Sequence, residues 1–398
     1  MQRQAGLRTA PYDFNQRPFI VIWETTRACQ LACKHCRATA MPDRNPLELT
    51  TAEAKHLLDE IAAFGTPRPL VILTGGDPFQ RPDLFEIVEY GASLGLPMSA
   101  SPSATPLLNY DNLKRLKDAG AKAMSLSLDG STAEIHDAFR GVPGSYELTR
   151  QGWNAALDLG LRLQVNTTLT RYNLGDLGNI YQLVRDRGGM MWSLFLLIPT
   201  GRGKDLAAVE PHEIEDALHF LYDAGHYFQT KSVEGHHYKR VVLQRLALEE
   251  RHNGVTPEEF FGLGGTYLRL KKQLTAYVNG AAPNRPRPPM TVNSAKGFVF
   301  ISYQGDVMPS GFFPMAAGNI RRESLVETYR DAPLFKSLRD PSNLKGKCAE
   351  CEFRSICLGS RSRAFCATGD MFAQDPLCAY APGSFPVRHR LLGGAEEQ

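Results

Sequence analysis

The sequence predicts an α/β protein built on a parallel sheet, followed by a helical stretch and a cysteine-rich tail. Two observations carry this. Short apolar runs alternate six times with amphipathic segments in the first half, and six strand–helix units in a row imply parallel strands with helices outside. The eight cysteines form two groups, three between positions 29 and 36 and five between 348 and 378. Tight clusters in a long chain read as metal sites in a reducing compartment, hence a cytoplasmic protein. A disulfide-stapled secreted chain would be short and would spread its cysteines.

Strands are expected at 18–23, 70–73, 96–100, 123–128, 161–168 and 192–198. The first helix opens on Thr50-x-x-Glu53, a capping box, buries Ala54, Leu57, Leu58 and Ile61 at helical spacing, and stops at Gly65. Others are expected at 111–119, ending at Gly120, and at 146–159, ending at Gly160. An open sheet and a partial barrel both satisfy this pattern, and both put a ligand site at the C-terminal ends of the strands. Residues 205–272 read as helical, 281–290 as a Pro-rich linker, and 298–308 as a hairpin turning at Gly305. The last dozen residues, ending GGAEEQ, read as frayed.

Composition narrows the function. Hydrophobic content of 43% and charged content of 22% are ordinary for a soluble globular protein. A net charge of +3 argues against nucleic-acid binding as the main task. No apolar run reaches membrane-spanning length, and the polar stretch 1–17 lacks the apolar core of a secretory signal.

Cys29-x-x-x-Cys33-x-x-Cys36 follows the first strand. Three thiolates at this spacing can hold three irons of a 4Fe–4S cube and leave the fourth open for chemistry. Structural zinc wants four closed ligands, and no fourth cysteine is near.

At this motif the chain resembles the radical S-adenosylmethionine (SAM) superfamily, whose signature is CxxxCxxC after the first barrel strand. Leu73-Thr74-Gly75-Gly76-Asp77-Pro78 closes the second strand and resembles the family's GGEP segment, which holds the SAM amino group. Glycines suit a close backbone approach to a ligand. Ser125-Leu126-Ser127-Leu128-Asp129-Gly130 closes the fourth strand and resembles the S-x-D-G segment lining the cavity. Ser101 and Ser103 end the third strand. The resemblance gives His35 a place against the adenine and Arg140 a carboxylate partner. It implies a partial (β/α)6 TIM-like barrel and reductive cleavage of SAM to a 5′-deoxyadenosyl radical that takes hydrogen from a substrate. A low-potential donor such as flavodoxin or ferredoxin would supply the electron.

Cys348-x-x-Cys351-x5-Cys357, with Cys378, is a four-thiolate set that spacing alone leaves open between zinc and iron–sulfur. Behind a radical SAM core it resembles the SPASM/twitch extension, which holds auxiliary 4Fe–4S clusters. Ser310 and Arg361 stand where the pattern has thiolates of a second auxiliary cluster. The resemblance therefore implies two clusters in all, with Cys366 outside both sets as a buried small hydrophobe. The expected division is a core at 18–204, a helical insert at 205–290 and an auxiliary-cluster domain at 291–385.

With Arg361-x-Arg363-Ala364-Phe365 and Gly369-Asp370 followed by Asp375-Pro376-x-Cys378, the tail further resembles radical SAM enzymes of heme biosynthesis, those of heme d1 and of the alternative heme route. These act on carboxylate side chains of tetrapyrroles, and Arg202, Arg240, Arg361 and Arg363 are candidate partners for such carboxylates. Whether such an enzyme counts as an oxidoreductase or a lyase stays open. A second reading is maturation of a ribosomally made peptide, as in the PQQ- and mycofactocin-type maturases. A third, a non-catalytic iron–sulfur sensor, has no use for a SAM pocket.

Overall fold

A computed structural model describes residues 7–251 and 254–385, so the GGAEEQ terminus lies outside the described residues. Ten strands form one sheet in the order β10-β9-β8-β1-β2-β3-β4-β5-β6-β7. The six expected strands are β1 (Ile20–Thr26), β2 (Leu70–Gly75), β3 (Met98–Ala100), β4 (Ala123–Ser127), β5 (Arg162–Leu169) and β6 (Met191–Leu196), each parallel to its neighbour. Two further parallel strands flank them. β7 (Thr230–Val233) pairs with β6, and β8 (Phe298–Ile301) pairs with β1. β9 (Asp306–Met308) and β10 (Gly318–Asn319) run antiparallel at one edge.

The helices between strands form for the reasons the sequence states. In α1 (Thr51–Ala62) the Thr50–Glu53 capping box is present and the buried face is Ala54, Leu57, Leu58 and Ile61. Then come α2 (Leu84–Ser93), α3 (Tyr110–Asp118), α4 (Ala133–Arg140), α5 (Ser145–Asp158) and α6 (Leu177–Asp186). Their apolar faces share one core with Val21, Trp23, Val71, Leu73, Val165 and Trp192 of the sheet. Burial of this kind contributes about 1.5–3 kcal/mol per large side chain.

The stretch expected to be helical holds α7 (Pro211–Ala224), α8 (Tyr238–Arg251), α9 (Pro257–Phe261) and α10 (Gly265–Val278), but also β7. That strand, TKSV, is four residues long with only Thr230 buried, too little for an apolar signature. The expected hairpin forms, with Gly305 at φ 88, and its first strand joins the main sheet beside β1. No helix among the described residues is long and apolar enough to cross a membrane.

Candidate active site

The motif residues gather at the C-terminal ends of the strands. Loop 27–41 leaves β1 carrying Cys29, Cys33 and Cys36, and its base is clamped by backbone pairing. Cys29 N donates to Met41 O at 2.8 Å, and Met41 N to Arg27 O at 3.0 Å. The turn after β2 closes on the same base, with Gly76 N on Thr26 O at 2.8 Å and Asp77 N on Ala28 O at 2.7 Å. A Cβ on Gly76 would stand 2.3 Å from Ala28 O, and one on Gly75 2.2 Å from Thr26 O. Both glycines therefore lie hard against backbone, Gly75 against the end of β1 and Gly76 against the start of the cysteine loop.

Each thiol of the loop has one N–H aimed at it. Leu31 N donates to Cys29 Sγ at 3.4 Å, Ala40 N to Cys36 Sγ at 3.5 Å, and Arg140 Nη1 to Cys33 Sγ at 3.7 Å. Such donors stabilise a thiolate. Burial pushes the Cys29 thiol above its ordinary pKa, so the anionic form is reached when a metal displaces the proton. Cys29 and Cys33 are buried and Cys36 half-buried. This donor set fits a thiolate-held cluster.

Arg140 is held from its other side. Its Nη2 lies 2.6 Å from Oδ2 of the buried Asp129, with Arg140 itself half-buried. Asp129 Oδ1 accepts from Thr168 N at 2.7 Å, and Asp129 N donates to His136 Nδ1 at 3.1 Å. The carboxylate that Arg140 meets thus belongs to this chain. His136 was not singled out from the sequence. The S-x-D-G segment contains Asp129, but nothing in the order of residues pairs it with position 140. His35 packs on Phe139 with ring centroids 4.7 Å apart, and its buried Nδ1 has no hydrogen-bond partner. Burial, then the Arg140 charge, holds its pKa well below the usual histidine range.

Asp77 is a brace. Its carboxylate accepts from Thr105 Oγ1 at 2.7 Å, Phe79 N at 3.2 Å and Ser103 N at 3.4 Å, tying the loop after β3 to the turn after β2. Ser103 Oγ donates to Gly76 O at 2.6 Å and lies 3.6 Å from Cys29 Sγ. The hydroxyls of Ser101 and Ser125 touch across neighbouring strands, and Ser127 is half-buried at the end of β4.

In the tail, Cys348, Cys351, Cys357 and Cys378 line one pocket together with His237 and Arg240. They share its walls without closing on one point as the ligands of a single ion do. Burial pushes the Cys351 thiol up to about 11 and Cys357 up to about 12. Cys366 lines no part of the pocket and is half-buried, not the fully buried hydrophobe expected.

The four arginines offered for substrate carboxylates are occupied within the fold. Arg202 donates to Cys33 O at 3.0 Å and Ala40 O at 3.3 Å, gripping the cysteine loop. Arg240 is paired to Glu215 through two contacts of 2.6 Å. Arg361 binds Met371 O and Ala373 O at 2.9 Å, and Arg363 binds Glu234 O at 3.0 Å. Ser310 and Ser360 both donate to the buried Glu234 carboxylate, the first at 3.2 Å.

Residues 23–184 match the model of the Radical SAM superfamily. The AdoMet-dependent heme synthase of Methanosarcina barkeri strain Fusaro is 36% identical over 369 residues, covering 92% of this chain and 97% of that protein. The chain belongs to the radical SAM superfamily. A second AdoMet-dependent heme synthase, from Oleidesulfovibrio alaskensis strain G20, is 37% identical over 378 residues, 93% of this chain and 89% of that one. Among solved structures, Streptococcus suis SuiB bound to S-adenosylmethionine aligns with a TM-score of 0.64 at 14% identity, covering 92% of this chain and 78% of SuiB. That likeness confirms the fold. Radical SAM membership makes the protein an enzyme with SAM and a 4Fe–4S cluster as cofactors.

Proposed function

We propose that this radical SAM enzyme acts on a carboxylate side chain of a tetrapyrrole, with loss of a propionate-derived group. The observation that carries the reading is the 36–37% identity to two AdoMet-dependent heme synthases over about nine-tenths of the chain. Cys29, Cys33 and Cys36 hold the SAM-cleaving cluster, and Cys348, Cys351, Cys357 and Cys378 hold one auxiliary cluster. Bound at the first set, the cluster and SAM supply a carbon radical that takes hydrogen from the substrate.

The chain's own residues position and shield. The N–H groups of Leu31, Ala40 and Arg140 fix the three sulfurs. The Gly75–Asp77 turn and Arg202 hold the loop shut around them. His35 and Ser127 stand at the same strand ends for contact with SAM, with Ser101 and Ser125 behind them. Core, insert and tail divide near 204 and 290, with β7 and β8 lent to the core sheet. A cytoplasmic flavodoxin- or ferredoxin-type protein suits the electron supply. The test is titration of the reconstituted enzyme with iron-coproporphyrin and with a siroheme derivative. A shift of the Soret band is the expected result, then, when SAM and reductant are added, a product lighter by carbon dioxide and two hydrogens, one hydrogen carried off in 5′-deoxyadenosine and the other lost as a proton while one electron passes to an electron acceptor. No binding across that series would leave a peptide as the substrate.

A further inference from the structure

His237 is 1% exposed, and neither ring nitrogen has a hydrogen-bond partner. An imidazole carries at least one N–H in every protonation state. A polar group buried without a partner costs about 1–3 kcal/mol, so such a group points to a partner outside the chain. The ring lines the pocket shared by the four tail cysteines. Its backbone is fixed, because His237 O accepts from Val241 N at 3.2 Å as α8 begins. The nearby groups that might satisfy it are taken. Asp375, on the same pocket wall, accepts from Ser360 N at 2.9 Å and Leu377 N at 3.1 Å. Arg240, one turn along α8, is neutralised by Glu215 and lies over the Tyr380 ring at 4.6 Å.

We propose that His237 donates its N–H to the auxiliary 4Fe–4S cluster held by Cys348, Cys351, Cys357 and Cys378, and thereby raises that cluster's reduction potential. The inference rests on the auxiliary-cluster reading above. Reduction adds negative charge to the cluster, and an N–H directed at its sulfur stabilises the reduced form more than the oxidised one. His237 is then a positioning and tuning residue rather than a ligand.

The test uses the full chain, reconstituted anaerobically, as wild type, His237→Phe and His237→Gln. Phe fills similar volume with no donor, and Gln keeps one. Iron per chain is measured first, then the midpoint of each cluster by EPR-monitored redox titration. About eight irons are expected in all three proteins. One midpoint should move to more negative potential in His237→Phe and recover at least half the shift in His237→Gln, while the midpoint of the Cys29 cluster stays put. An unmoved midpoint in His237→Phe at full iron overturns the proposal. So does a fall to about four irons in both variants, which would make His237 a ligand. A wild type with only about four irons removes the auxiliary-cluster reading itself, and that outcome is read before any variant.

Discussion

Replacing Gly76 by alanine is the smallest change that probes how the cysteine loop is held. The new Cβ would lie 2.3 Å from Ala28 O, 2.7 Å from Ala28 C and 2.8 Å from Arg27 O. Ordinary contact begins near about 3.5 Å, so the strand end and the loop must part by about 1 Å. Every colliding atom is backbone, and no side chain can rotate away. Overpacking of this kind costs about 1–3 kcal/mol, which a domain with about 5–15 kcal/mol in hand survives. The geometric effect is larger, because Cys29 directly follows the displaced residue. A misplacement of about 1 Å costs on the order of 100-fold in rate. Gly76→Ala should therefore fold, keep about four irons in the tail, fill the Cys29 set only in part, and cut SAM cleavage by about 100-fold. The readouts are iron per chain and 5′-deoxyadenosine formed under reductant. Full iron together with wild-type cleavage would show that the turn does not hold the loop.

Four further outcomes follow. Cys33→Ala should abolish cleavage of SAM to 5′-deoxyadenosine and methionine, and cleavage at the wild-type rate would disprove the placement of the first cluster. Cys351→Ala should lose about half the iron while Cys366→Ser keeps all of it; about twelve irons in the wild type, or loss from Cys366→Ser, would contradict the ligand sets. Asp129→Asn leaves the half-buried Arg140 without its counter-charge and should cost about 3–5 kcal/mol in denaturant unfolding, an effect that an unchanged midpoint would rule out. The last concerns acid. Burial, then the Arg140 charge, holds His136 down to about 3, against about 6.5 unfolded. Between those pH values the unfolded chain binds more protons at this site, so stability falls as pH drops, by up to about 1.4 kcal/mol per unit. His136→Phe should flatten that slope, and an equally steep acid profile would count against it.

Much of the scaffold was legible because its signals are local. The Thr50–Glu53 cap and the buried face of α1 come from residues within one helix, and the six central strands each carry an apolar run. β7 was not legible, because four residues with one buried side chain carry no pattern. Long-range pairing was the other blind spot. The sequence shows that Arg202, Arg240, Arg361 and Arg363 are charged, but not that their partners are backbone oxygens and an acid far along the chain. A free arginine and a buried one look alike until the fold places them. The grouping of the cysteines was visible in their spacing, whereas the Asp129–Arg140 pair ties the loop after β4 to the end of α4 by geometry alone.

The hydroxyl–carboxylate knot around Glu234 ties Ser310 and Ser360 into the fold. Glu234 holds a left-handed backbone, φ 55, and its buried carboxylate depends on Ser310 and Ser360 for hydrogen bonds, with Arg363 clasping its carbonyl. A lone Ser310→Cys would strip one donor from the carboxylate, at about 1–3 kcal/mol, and would add a thiol with no iron to bind. A lone Arg361→Cys would free the carbonyls of Met371 and Ala373 in the same unrewarded way. Either change alone would therefore lower stability without a metal to offset the loss.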